Sequence, residues 1–358
     1  GSIVKHRSTR LIGALAVTAL AVSACSSGKA ATSASGKCTP AKTPVISFAA
    51  YSTPREVYGK IIPAFQDYWK QKHNDQSLIF EESYGGSTTQ SQNVVNGFPA
   101  DIVALSLAPD VDAIKNAGLI THDWTAEPDK GMVSSSVVAL DVRPGNPKQI
   151  KDFNDLTQPG LKILTPDPAQ SGGARWNIVG AYGAAMRGYA GNQKGDTSGA
   201  QSLLQNIFSN VTVMDKSARD SIKNFESGNG DVAITYENEI LTAQDAGLPD
   251  QAVYPPSTVL IENPVAVVDK NAEAHCVEPI ANAFVRFLHT KTAKDLYSTV
   301  GFLRSTNAAK AQKGDPAAHM PAIKDLFTVN DFGGWNALDQ KLFSSNGLFT
   351  QALKAAQG

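Results

Sequence analysis

The chain has 358 residues, of which 42% are hydrophobic and 18% charged, the balance of a soluble globular protein with room for about two domains. The formal net charge is −1, and Lys5, Arg7 and Arg10 precede any acid, so 32 less 3, or 29, basic residues face 33 acidic ones from residue 25 on, a balance of −4. No basic excess is left for a nucleic-acid-binding face, and nucleic acid is excluded from the expected partners.

The first residues read as an export signal. Lys5, Arg7 and Arg10 form a positive region, and the apolar run from Leu11 to Ala24 is too short to span a bilayer. It ends in Val22-Ser23-Ala24-Cys25, small residues before a cysteine, the pattern of a lipoprotein cleavage site. Cys25 is therefore the expected lipid anchor, at the end of a signal peptide over 1–25. The stretch 26–43 is rich in Ser, Ala, Gly and Lys without apolar period and reads as a flexible tether.

From residue 44 strands and helices alternate. Val45-Ile46-Ser47-Phe48 is a strand. Val57, Tyr58, Ile61, Ile62, Phe65, Tyr68 and Trp69 recur at helical spacing and predict a core-facing helix over 55–72. Strands are predicted at 78–80, 101–105, 134–142, 163–165, 211–214, 232–236 and 264–268, with helices at 110–117 and 198–209 and beyond 281. Asp331-Phe332-Gly333-Gly334-Trp335 reads as a structural turn. Alternation of this kind predicts an α/β fold on mainly parallel sheets, with helices on both faces.

Four of the strand–helix junctions share one device. Ile163-Leu164-Thr165 leads to Ser171-Gly172-Gly173 and a helix; Leu78-Ile79-Phe80 leads to Ser83-Tyr84-Gly85-Gly86-Ser87. Val211 to Met214 leads to Ser217-Ala218-Arg219, and the first strand leads to Ser52-Thr53-Pro54. Ser87 with Gln90, and Thr53 with Glu56, fit capping boxes, and Pro54 fits the first helical position. A helix start presents unpaired N–H groups and a partial positive charge. Glycines let an anion approach that backbone closely, which is how proteins hold a small oxyanion without a cationic side chain. Plain capping accounts for any one such start; two of the four also carry Gly-Gly, which capping does not require.

Other chemistries lack their residues. There is no P-loop, no GxSxG elbow, no GxGxxG after a strand and no HExxH. Besides Cys25 only Cys38 and Cys276 remain, with no spacing for zinc. In an exported chain two such cysteines are expected to pair, here as a Cys38–Cys276 disulfide. No metal and no cofactor is expected.

Ser83-Tyr84-Gly85-Gly86-Ser87, Ala100 to Leu105, Arg143 to Gln149, Ser171 to Asn177, Tyr236-Glu237-Asn238-Glu239 and Phe332-Gly333-Gly334-Trp335 occur in the order of one family. Over about 46–351 the chain resembles the bacterial sulfate-binding proteins of ATP-driven importers, with Gln170 in place of a Ser before Ser171. The resemblance implies a two-lobed periplasmic-binding-protein fold of type II, with an oxyanion closed between the lobes. It implies lobe 1 at 44–137 and 262–330, lobe 2 at 138–261 and a C-terminal helical segment at 331–358. By position, Ser87 would offer its hydroxyl and its loop backbone, Ser171, Gly172 and Gly173 a hydroxyl and N–H groups, and Ala218 a backbone N–H. Ser52 stands where the family usually has Asp, and Tyr236 where it has Trp.

The implied function is an extracytoplasmic receptor, expected monomeric and lipid-anchored at the outer face of the cytoplasmic membrane, that hands sulfate to ABC permease subunits. Thiosulfate, molybdate and phosphate stay open as ligands, because an inward carboxylate of Asp220 would favour a protonated anion. Two further readings stand beside it. A hydrolase using the donor nest as an oxyanion hole needs a histidine base, and His73 and His122 fall away from the four starts. An interaction lipoprotein without ligand is the other.

Overall fold

The computed structural model describes residues 31–32, 38–304 and 320–358. The expected signal peptide and Cys25 lie outside the described residues. Near the N-terminus β1 (Ala31–Thr32) pairs antiparallel with β2 (Cys38–Thr39). Cys38 is bonded to Cys276 with Cα atoms 5.3 Å apart, the disulfide expected from the sequence.

The first core begins at β3 (Val45–Tyr51) and α1 (Arg55–Lys72). Val57, Tyr58, Ile61, Ile62, Phe65 and Trp69 form the buried stripe of α1, at the three- and four-residue spacing of one helical face. Pro54 occupies the cap position of α1 and no side chain caps it. The box expected of Thr53 and Glu56 is therefore absent, because the Glu56 carboxylate is drawn to Arg219 instead.

β4 (Ile79–Gly85) runs parallel to β3 and feeds α2 (Ser87–Val95). The box expected of Ser87 and Gln90 is also absent. Gly86 takes the cap position, Ser87 is already helical, and the Gln90 amide donates to the carbonyls of Ala50 and Ser83. β5 (Ile102–Ala104) and α3 (Ala108–Asn116) follow. Rings from this half interlock: Phe65 and Phe284 lie 5.1 Å apart between centroids.

β6 (Met132–Val142) leads into the second half, built from β7 (Ile163–Leu164), α4 (Gly172–Met186) and α5 (Thr197–Ser209). β8 (Val211–Val213), α6 (Ala218–Glu226), β9 (Val232–Tyr236), α7 (Glu237–Asp245) and β10 (Gln251–Val253) complete it. Helix α4 is buried around almost its whole girth, with Trp176, Ile178, Val179 and Tyr182 inside the second core. Each such side chain contributes ~1.5–3 kcal/mol by leaving water.

β11 (Ser257–Val267) returns to the first half and is far longer than the sequence suggested. α8 (Asp269–Ala274), α9 (Glu278–Leu288) and α10 (Lys291–Thr299) follow there. β12 (Asp325–Phe327), α11 (Trp335–Leu338) and α12 (Leu348–Gln357) end the chain. The C-terminal helix packs on the second core through Phe349 against Phe208, centroids 4.9 Å apart. The glycine turn before it is structural, as expected: Gly333 has φ 84°, and Trp335 meets Trp176 edge-on at 4.8 Å.

The large sheet runs β4-β3-β5-β11-β6-β9-β7-β8. Its two ends are parallel, and its middle is antiparallel where β11 lies against β5 and β6. β6 and β11 are thus the long strands that join two α/β halves, each with its own core. This is the two-lobed α/β arrangement expected from the sequence, with β3, β4 and β9 ending at the cleft between the lobes.

Candidate anion-binding cleft

Four chain segments converge on one small cavity between the lobes: the β3–α1 turn and the starts of α2, α4 and α6. Ser52, Ser87, Ser171, Gly172, Gly173, Ala218 and Tyr236, expected together from the sequence, all line it.

A helix cannot satisfy its first N–H groups by itself. Those of Ser87 on α2, Gly172 and Gly173 on α4, and Ala218 on α6 find no partner among the described residues, and neither does the N–H of Ser52. Among the described residues none that lines the cavity carries a charge. The site therefore presents positive backbone dipoles and neutral hydroxyls, the composition that suits a small anion.

The glycines are there for closeness. A Cβ on Gly172 would lie 2.6 Å from the Cβ of Ser106, and one on Gly173 would lie 2.8 Å from the Tyr236 ring. A Cβ on Gly86 would lie 2.3 Å from the Gln170 carbonyl oxygen and 2.7 Å from that of Lys216. The lobes touch at this place: the N–H groups of Thr88 and Thr89 donate to the Gln170 carbonyl at 3.1 and 3.3 Å.

The serines divide into distinct roles. Ser171 Oγ accepts the N–H of Ala174 at 3.2 Å and caps α4, leaving its own proton for another acceptor. Ser52 Oγ accepts the N–H of Arg219 at 3.3 Å, a contact from one lobe to the other. Ser87 corrects the sequence reading. Its hydroxyl, expected to face a ligand, accepts the Ser106 N–H at 2.9 Å and donates to Asp110 Oδ2 at 2.7 Å. Because Ser87 is the first helical residue, its side chain turns back toward α3, and its N–H is the group left at the cavity.

Asp220 resolves the other open question. Ser217 Oγ caps its N–H at 3.1 Å, and the Asp220 carboxylate is exposed and does not line the cavity. A buried carboxyl, Asp110, stands behind Ser87; burial raises its pKa to about 6 against the hydroxyls that hold it. Arg219 stays outside the cavity and ties the lobes together. It donates to Glu239 Oε1 at 2.8 Å, to Glu56 Oε1 at 2.5 Å and to the Thr53 carbonyl at 3.0 Å.

Tyr236 ends β9, is fully buried, and points its phenol at Ser106 Oγ. Burial pushes the phenol far above its ordinary pKa, so it keeps its proton. Ser106 and Asp110 escaped the sequence reading. The signal for Ser106 was a polar residue between Leu105 and Leu107 at a strand end.

A model of bacterial extracellular solute-binding proteins matches residues 46–303. The chain belongs to this family. A sulfate-binding protein of Synechococcus elongatus is 38% identical over 344 residues, covering 95% of this chain and 94% of its own length. A sulfate-binding protein of Escherichia coli is 38% identical, covering 85% of this chain and 92% of its own. The solved structure of the sulfate-binding protein SubI from Mycobacterium tuberculosis superposes with a TM-score of 0.72 at 35% identity, over 84% of this chain and 99% of that one. A periplasmic thiamin-binding protein shares the fold at a TM-score of 0.63 with 13% identity.

These relatives are binding proteins, and this solute-binding protein is not an enzyme. His73 stacks on Trp69 at 3.6 Å between centroids, and His122 Nδ1 meets Asp269 Oδ2 at 2.6 Å. Among the described residues no helix is long and apolar enough to cross a membrane.

Proposed function

We propose that this solute-binding protein captures sulfate in the inter-lobe cleft through neutral donors and delivers it to an ABC permease. The observation that carries the reading is the convergence of unpartnered N–H groups from Ser52, Ser87, Gly172, Gly173 and Ala218 on a cavity without a charged lining. The Ser171 hydroxyl and the Tyr236 phenol stand beside them. Its sulfate-binding relatives support the choice of anion.

A hydrogen bond to a charged group contributes ~1.5–3 kcal/mol. Five or six of them sum to roughly 8–18 kcal/mol, a range that reaches the ~8 kcal/mol of micromolar affinity after the cost of ordering the lobes is subtracted. Sulfate suits N–H donors because it carries no proton near neutrality. Hydrogen phosphate brings a proton that backbone donors cannot accept, and an unpaired polar group in a closed cleft is costly.

Cys25 serves in this reading as the lipid anchor, holding the monomeric protein at the outer face of the cytoplasmic membrane. In this reading lobe 1 comprises 44–137 and 262–330 and lobe 2 comprises 138–261; the cores around Phe284 and around Trp176 fall on either side of that division, while Phe327 packs with the second core.

Calorimetric titration of the protein, dialysed free of anions, tests the ligand. Micromolar or tighter sulfate binding with a much weaker phosphate response is expected, with thiosulfate and molybdate as comparison anions. Absence of a sulfate response at millimolar concentration refutes the reading.

A further inference from the structure

Ser106 lies at the floor of the cleft, between the end of β5 and the start of α3. Its backbone is fully committed. Its N–H donates to Ser87 Oγ at 2.9 Å, and its carbonyl accepts the indole N–H of Trp176 and the amide of Asn263, each at 3.1 Å. Only its hydroxyl is left to face the cavity, and that hydroxyl is hydrogen-bonded to the phenol of Tyr236.

The two hydroxyls flank the glycine turn of α4 in register. A Cβ on Gly172 would lie 2.8 Å from Ser106 Oγ, and one on Gly173 would lie 3.3 Å from the Tyr236 hydroxyl oxygen. Both hydroxyls thus stand beside the unpartnered N–H groups of Gly172 and Gly173.

Counting protons shows what the pair can offer. Two hydroxyls hold two protons, and one is spent on the bond between them. The remaining proton has no protein acceptor among the described residues. Either hydroxyl can carry it, because both rotate. The hydroxyl that donates outward is polarised by the bond it accepts from its neighbour.

We propose that Ser106 is a further anion-binding residue, and that Ser106 and Tyr236 act as one interchangeable donor to a fully ionised tetrahedral oxyanion. The inference rests on the oxyanion-binding reading given above. Here two short hydroxyls span the distance between them, and losing one leaves the other able to turn to the anion.

That redundancy gives a signature that packing does not. Ser106→Ala and Tyr236→Phe each weaken sulfate binding by less than about tenfold, because the surviving hydroxyl takes the outward proton. The double substitution removes the donor altogether and weakens binding by about a hundredfold, the scale of one lost bond to a charge. The double effect therefore exceeds the product of the singles. Ser106→Thr, which keeps the hydroxyl, stays close to the unsubstituted protein.

Ser106→Ala disturbs neither the N–H nor the carbonyl of Ser106, so the cleft floor keeps its backbone contacts, and near-ultraviolet circular dichroism checks that it does. Calorimetry of the five proteins with sulfate reads the cycle. A double variant equal to the product of the singles overturns the pair while sulfate binding by the unsubstituted protein keeps the functional reading. Failure of the unsubstituted protein to bind any tetrahedral oxyanion removes both.

Discussion

The hydroxyl of Ser87 donates to the carboxylate of Asp110 at 2.7 Å, and Thr88 Oγ1 joins it at 3.1 Å. This buried contact anchors the first turn of α2 to α3, so the Ser87 N–H is aimed by its own side chain. Asp110 is 7% exposed, and its pKa rises to about 6 because burial opposes the charged form more than the two hydroxyls and Arg175 favour it. Asp339 adds to the rise.

The folded protein therefore holds the Asp110 proton up to about pH 6, whereas the unfolded chain releases it near pH ~3.9. Folding takes up a proton between those values. The stability Asp110 contributes is full below pH ~4 and is lost as the pH rises through 6, a change on the order of 1–3 kcal/mol. Asp110→Asn, which stays neutral, should flatten the stability curve in that window. Asp110→Ala should lower stability at every pH by leaving Ser87 without an acceptor. Denaturant midpoints from pH 4 to 7 decide it; an unaltered slope in the Asn variant refutes the assignment.

Arg219 and its two carboxylates give a contrast within one cluster. The Glu239 side chain is 0% exposed and that of Glu56 44% exposed. Arg219→Met leaves Glu239 as a buried charge without its partner, at a cost of ~3–5 kcal/mol. Glu56→Gln removes a half-exposed partner, costing less than ~1 kcal/mol of stability. Glu56 nevertheless reaches Arg219 across the cleft, so its loss should weaken anion binding a few-fold by loosening the closed arrangement. Urea midpoints paired with sulfate titrations check both effects, and equal destabilisation by the two substitutions contradicts the account.

The sequence made the donor geometry legible where the backbone alone decides it. Ser171-Gly172-Gly173 and Ser217-Ala218 follow short strands and open helices capped by the serines, as the residue types require. It misled where a side chain had a stronger competitor elsewhere. Gln90 fits a capping box locally, but the carbonyls of Ala50 and Ser83 claim its amide; Glu56 fits one too, but Arg219, 163 positions away, claims its carboxylate. β11 was read from its apolar end only, because Glu262 and Asn263 interrupt the pattern where the strand crosses between lobes. Ser106 carries no motif at all, and only the folded chain brings its hydroxyl to Tyr236, 130 positions away.

The disulfide closes a sequence separation of 238 residues. Cross-linking so long a stretch restricts the unfolded chain more than the folded one, which on the chain-entropy model is worth on the order of 5 kcal/mol. Neither cysteine lines the cleft. Replacing both Cys38 and Cys276 by Ser should lower the denaturant midpoint markedly while leaving sulfate affinity within about twofold. A matched loss of affinity would show that the bridge also positions the lobes.

Gly86 offers the sharpest separation of closure from folding. Its φ of −63° and ψ of 136° suit any residue, so alanine there incurs no backbone strain. A Cβ would nevertheless sit 2.3 Å from the Gln170 carbonyl oxygen and 2.7 Å from that of Lys216, both backbone atoms of the opposite lobe. Those atoms cannot yield as a side-chain tip would, so the lobes must separate. Gly86→Ala should fold with near-normal stability and lose sulfate affinity by about a hundredfold or more, because the donors of α4 and α6 no longer reach an anion held at Ser87. Small-angle scattering with saturating sulfate should show the variant more extended than the unsubstituted protein. Retained affinity in Gly86→Ala would mean that the anion is bound without this contact between the lobes.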